Sequence, residues 1–210
     1  MGWAFFMSAF IHWLRELWLT SLQNLANIKY FNKRMNFSAF VKHSDTFIET
    51  GTHIGESVQS AIDAGFTNIK TVELQAQYYQ FANNRFAGKN VKLYFGKSID
   101  MLPLMLEGIP TPSVFWLDAH PAGPNTAGHQ ELLAGDQEFN QTTILKKELS
   151  LILQHGKHVI LIDDINNMQY GEQFIELFEA YYPKGYTYEL ADEERSTFTY
   201  VQKVLICLPV

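Results

Sequence analysis

Apolar positions change their period several times along the chain, and each change marks an element. From Phe5 to Ile28, residues Phe10, Ile11, Leu14, Leu17, Trp18, Leu22 and Leu25 recur at helical spacing and predict one amphipathic helix with a broad apolar face. Its apolar start, Trp3 to Leu14, is shorter than the roughly 18 residues a membrane span needs, and Arg15 and Glu16 interrupt it, so no transmembrane helix is expected. Nor does it read as a secretory signal, since no basic residue precedes it and no small-residue cleavage site ends it. The face is expected to pack on its own domain or on a second copy of the chain, making a homo-oligomer. Peripheral membrane contact, with Trp3, Trp13 and Trp18 at the interface, is the alternative. A polar connector, Asn32 to Asp45, then leads to the main domain, so the expected division is a helical extension over 1–45 and one domain over 46–210.

Within that domain short apolar runs alternate with helical patterns. Phe47-Ile48-Glu49 is a strand, Gly51-Thr52-His53-Ile54-Gly55 a turn, and Val58, Ala61, Ile62 and Ala64 a helix that Gly65 stops. Further strands are expected at Ile69–Leu74, Asn90–Phe95, Ser113–Leu117 and His158–Ile162. Helices fall between them through Tyr78 to Ala82, Met101 to Met105 and Thr143 to Leu153. Ser113–Leu117 is apolar without alternation, which means burial on both faces and a central parallel strand. A last helix through Phe174 and Phe178 precedes two runs, Tyr186–Leu190 and Phe198–Leu208, that read as an antiparallel pair. The predicted fold is therefore α/β: a Rossmann-like, doubly wound, mostly parallel sheet with a C-terminal antiparallel pair and an N-terminal helical extension. Ligands of such sheets sit beyond the carboxyl ends of the strands. The polar stretch Pro121 to Gln141, carrying Gly123, Pro124, Gly128 and Gly135, is long for a plain connection and is expected to be a functional loop.

Composition narrows the partners. The chain has 210 residues, 47% of them hydrophobic, enough for a full core. Its formal net charge of -6 opposes broad phosphate-backbone binding, so nucleic acid is not expected as a partner. The single cysteine, Cys207, lies in an apolar run and is expected to be buried and inert, consistent with a reducing, cytoplasmic setting.

The chemistry gathers at predicted strand ends. Gly51 and Gly55 let the backbone turn sharply and approach a ligand, and the following helix start offers unpaired N–H groups, as a nucleotide-type cofactor loop requires. Glu73 follows Glu49 by 24 residues with that loop between them, where a carboxylate can accept both hydroxyls of a ribose. Asp118, Asp163 and Asp164 each follow a fully apolar strand. Three unpaired carboxylates at a sheet end are costly unless a cation joins them, and a hard divalent ion such as Mg2+ takes such oxygen ligands. His120, two residues past Asp118, reads as a base, a further ligand or a loop histidine. Caps and lysine pairs are the structural alternative for the acids.

The pattern Glu49-x-Gly51-x-His53-x-Gly55-x-Ser57 resembles the cofactor loop of class I S-adenosylmethionine-dependent O-methyltransferases of the metal-dependent, catechol type, with His53 as the ring residue inside the loop. The likeness continues through Thr71-Val72-Glu73-Leu74, Val91 to Ser98, Phe115-Trp116-Leu117-Asp118 and Leu161-Ile162-Asp163-Asp164, spanning 46–166. It implies S-adenosylmethionine as cofactor, bound by Glu49, Gly51, Thr52, His53, Gly55, Ser57, Glu73 and Ser98. It also implies a divalent metal on Asp118, Asp163 and Asp164. Methyl transfer to a metal-bound hydroxyl of a small acceptor would follow, with His120 and Asp118 catalytic. Two positions depart from the family: Ile99 replaces a polar residue near adenine, and Pro121 stands where a basic lysine is common. Trp116 to His120 is more similar to a bacterial subgroup associated with sugar acceptors. Two other readings stay open: a metal-dependent nucleotide- or sugar-modifying hydrolase on the same fold, and a non-catalytic adenosyl-ligand binder or membrane-associated protein.

Overall fold

The computed structural model describes residues 35–120, 133–136, 140–165, 168–193 and 202–210. The chain divides into two units, Met1–Lys33 and Arg34–Val210, and the described residues belong to the second. The predicted N-terminal helix lies outside the described residues, as does most of the Pro121–Gln141 loop.

Strands β1 (Thr46–Thr50), β2 (Asn68–Glu73), β3 (Val91–Phe95), β4 (Val114–Leu117), β5 (Val159–Ile162), β6 (Tyr186–Glu193) and β7 (Gln202–Pro209) form one sheet in the order β3-β2-β1-β4-β5-β7-β6. β1 to β5 run parallel; β7 is antiparallel to both β5 and β6. Helices α1 (Glu56–Ala64), α2 (Ala76–Arg85), α3 (Ser98–Leu106), α4 (Gln141–His155) and α5 (Met168–Tyr181), with a short 3-10 helix at Phe37–Ala39, complete the described elements. The strand order reverses between β1 and β4, and a doubly wound sheet opens its ligand crevice at that point, beyond the strand ends. This is the Rossmann-like architecture that the alternation of runs predicts.

Both faces of the sheet are covered, which is why β1, β4 and β5 are buried along their whole length. Side chains alternate along β1. Ile48 packs with Leu102, Met105, Leu149 and Phe174 from α3, α4 and α5, while Phe47 packs with Val58, Phe66 and Phe86 on the opposite side. Phe37 and Phe40, from a short turn before β1, join the second cluster. The same alternation turns the last two residues of β1 to opposite faces, Glu49 toward α1 and Thr50 toward α4. Cys207 is fully buried in β7 against β5, and burial pushes its thiol pKa well up, as an inert core cysteine requires. Among the described residues no helix is long and apolar enough to cross a membrane.

Candidate functional site

The β1–α1 turn is built by backbone constraints that only some residues satisfy. Gly51 has φ 88°, and a Cβ there would meet the Asp118 carbonyl oxygen at 2.5 Å, so glycine lets β1 and β4 close on each other at the switch point. Gly55 has φ 81° and heads α1; a Cβ there would strike the Phe86 ring at 2.4 Å. Both glycines are thus required by packing inside the protein. His53 also takes a positive φ, 48°, with its ring 4.2 Å from that of Tyr78. The N–H groups of Gly51 and Thr52 both donate to the Val72 carbonyl, fastening the turn to β2.

Glu49 does not point into the crevice. It is fully buried and accepts hydrogen bonds from the hydroxyls of Ser57 and Thr71, and Thr71 is in turn bonded to the Thr52 hydroxyl. Burial raises its pKa to about 8 despite the two hydroxyls, with Asp118 and Glu73 adding to the rise. Glu49, Thr52 and Ser57 therefore form a chain beneath the turn and brace it from inside.

Glu73 ends β2 beside the same turn. One carboxylate oxygen accepts the N–H of His53 and the other the N–H of Gln75, each at 2.7 Å. Burial raises its pKa, and these backbone donors, with that of Leu74, oppose the rise. With His53, Gln75 and Leu74 as backbone donors, the carboxylate keeps capacity for a further hydroxyl. On the neighbouring β3 end, Phe95 is 52% exposed and in ring contact with Tyr79, an apolar surface next to a polar acceptor. Ser98 opens α3, and its hydroxyl stands near the Glu148 carboxyl of α4 and lowers its pKa.

Past β4, the ligand atoms of Asp118, His120 and Asp164 all lie within 4.8 Å of one another. His120 Nε2 lies 2.9 Å from Asp164 Oδ2 and Nδ1 lies 3.7 Å from Asp118 Oδ1. The histidine side chain is only 4% exposed, and Nδ1 has no hydrogen-bond partner. Burial alone would lower the His120 pKa. The bond to Asp164 and the charges of Asp118, Asp164 and Asp163 outweigh it, and the pKa is raised. Asp163 is fully buried at the end of β5, its N–H bonded to the Leu117 carbonyl. The group that converges is thus two carboxylates and an imidazole, with His120 in the set and Asp163 behind it.

Glu148 is the residue that motif reading missed. It is fully buried on α4, accepts the Thr50 hydroxyl at Oε2 (3.3 Å), and feels the charges of His120 and Asp118. Burial lifts its pKa to about 7, the Ser98 and Thr50 hydroxyls holding it down. A signal was present: Leu145, Leu149 and Ile152 define the apolar stripe of this helix, and Glu148 falls on it.

No protein-family model matches the sequence, and no curated protein matches it. Solved structures do share its fold. An O-methyltransferase from Bacillus cereus in complex with SAH is 14% identical, the match covering 91% of this chain and 89% of that one at a TM-score of 0.55. An O-methyltransferase from Streptomyces achromogenes involved in tomaymycin synthesis, in complex with SAM, is 16% identical over 83% of this chain and 77% of that one, at 0.52. The chain has the Rossmann-like fold of these O-methyltransferases.

Proposed function

We propose that the chain is an S-adenosylmethionine-dependent methyltransferase acting on a hydroxyl of a small acceptor, sugars included. The observation that carries this reading is the Glu73 carboxylate, held by two backbone N–H groups at the mouth of the switch-point turn. Its position after the second strand and its remaining acceptor capacity suit a ribose hydroxyl. The exposed Phe95 ring next to it suits the flat apolar face of a base. When bound, S-adenosylmethionine supplies an electrophilic methyl on a sulfonium, and the protein's part is to align acceptor and donor. The turn from Gly51 to Gly55 and the start of α3 orient; His120 holds or releases a proton at Nδ1 when no ion occupies that nitrogen.

The test is calorimetric titration of the full chain with S-adenosylmethionine. Binding is expected, and Glu73→Ala is expected to weaken it by about 1.5–3 kcal/mol, roughly ten- to hundredfold, because a charged acceptor is lost. A folded parent that does not bind the methyl donor would favour the hydrolase reading. Unchanged affinity in a folded Glu73→Ala protein would refute the ribose role.

Asp118, His120 and Asp164 fit a divalent ion, since one ligand atom of each lies within 4.8 Å of the others and the buried Nδ1 of His120 has no hydrogen-bond partner. Such an ion would lower the pKa of a bound hydroxyl. An imidazole beside two carboxylates suits a first-row ion such as Mn2+ or Fe2+ better than the Mg2+ expected from three acids. Thermal unfolding reads this directly. The parent is expected to be stabilised by Mn2+ over EDTA, by about 2.7 kcal/mol at a hundred times Kd, and Asp164→Asn is expected to lose that gain. A parent that gains nothing from Mn2+, Mg2+ or Ca2+ would sink the metal site.

A further inference from the structure

β1 and β3 are not neighbours in the sheet; each borders β2. The turns that leave them, Thr50-Gly51 and Gly96-Lys97-Ser98, therefore share no strand hydrogen bonds. Glu148 reaches both from α4: Thr50 Oγ1 donates to its Oε2 at 3.3 Å, and the Ser98 hydroxyl stands near enough to the same carboxyl to hold its pKa down. α3 and α4 pack against each other, which holds the carboxyl in place. Its other oxygen, Oε1, is buried without a hydrogen-bond partner. A carboxyl in a helix stripe of Leu145, Leu149 and Ile152 is a poor choice for stability alone, because burying a polar group that is not fully satisfied is costly where leucine would pack freely.

We propose that Glu148 is a positioning residue, fixing the Thr50-Gly51 turn and the start of α3 at the separation that a cofactor bridging them requires. Glu73, on β2, lies between the two turns it ties. The purpose rests on the methyltransferase reading; the tie itself does not. Misplacement of a site's groups by about an ångström costs on the order of a hundredfold in rate, so a single tether at this point has leverage.

The experiment uses the full chain as parent, Glu148→Gln, Glu148→Asp and Glu148→Leu. It reads ligand-free amide exchange by segment and titration with S-adenosylhomocysteine. Gln keeps the length and the acceptor and is expected to stay within about twofold of the parent in both readouts. Asp withdraws the carboxyl by one methylene and Leu removes it. Both are expected to speed exchange at 50–55 and 96–101 at least tenfold, leave 159–162 unchanged and weaken binding at least tenfold. Should Leu fail to fold, the Asp variant and a Thr50→Val, Ser98→Ala double variant carry the same expectation. Parent-like exchange in Asp and Leu would overturn the proposal, whatever the binding. So would loosening spread evenly to 159–162, the mark of a merely structural role. A parent that binds no S-adenosylhomocysteine would defeat the methyltransferase reading, and the exchange pattern would still decide the tie.

Discussion

Glu49→Gln is expected to be more stable than the parent above neutral pH, and to remove much of the parent's loss of stability between pH 4.5 and pH 8. The folded Glu49 pKa is about 8 against an ordinary value of 4.5, burial being the main cause. Because the folded chain holds this proton more tightly than the unfolded one, the contribution is complete below pH 4.5. It is lost as pH rises through 8. At 1.36 kcal/mol per pH unit, the whole loss is about 4–5 kcal/mol. Glutamine has the same shape, cannot ionise, and offers its oxygen to one of the Ser57 and Thr71 hydroxyls and an N–H to the other, which can turn to accept. Chemical unfolding at a series of pH values compares the two slopes. Glu148, raised to about 7, acts in the same direction and leaves a shallower slope in the variant. Parallel curves for parent and variant would show that Glu49 is ionised at no cost, and the bracing role beneath the turn would fail with it.

On the acid side the largest single effect is expected from His158, at the other end of the sheet. It is fully buried, its Nδ1 accepts the Ser113 N–H at 3.0 Å, its Nε2 lies 3.0 Å from His155 Nδ1, and its own N–H donates to the Tyr186 hydroxyl. A proton on Nδ1 would face the Ser113 N–H and break that bond. Burial, with His155 alongside, lowers the pKa to about 4 from 6.5. The unfolded chain thus binds the proton first, and stability falls as pH drops from about 6.5 through 4. The loss amounts to about 3 kcal/mol. His158→Asn keeps an acceptor for Ser113 and cannot titrate, so its unfolding free energy is expected to fall less steeply over that window, whatever its level at pH 7. Equal slopes would refute the account.

The alternation of apolar runs determined the sheet. β1 to β5 each lie within a residue or so of the predicted strands, because a buried parallel strand must be continuously apolar and a covering helix must show its own period. The strand-end acids were legible for the same reason, since each interrupts a greasy run where a strand ends. Asp118 keeps exposure there, whereas Glu49 and Asp163 are fully buried.

What these residues do there was decided only in three dimensions. Glu49 and Glu73 look alike along the chain, yet period-two alternation turns Glu49 into the helix layer, and the β1–β2 register puts Thr71 directly opposite it. Asp118 and Asp164 are 46 residues apart and meet because β4 and β5 are neighbours. The short turn after β4 then swings His120 between them, taking the place that Asp163 held in the linear pattern. Glu148 stands on the apolar stripe along the sequence, but its partners Thr50 and Ser98 appear only once α4 is laid on the sheet. Local sequence determines period, and so which elements form. Partners across the sheet depend on strand order and register, which summed long-range packing selects and which no single segment encodes.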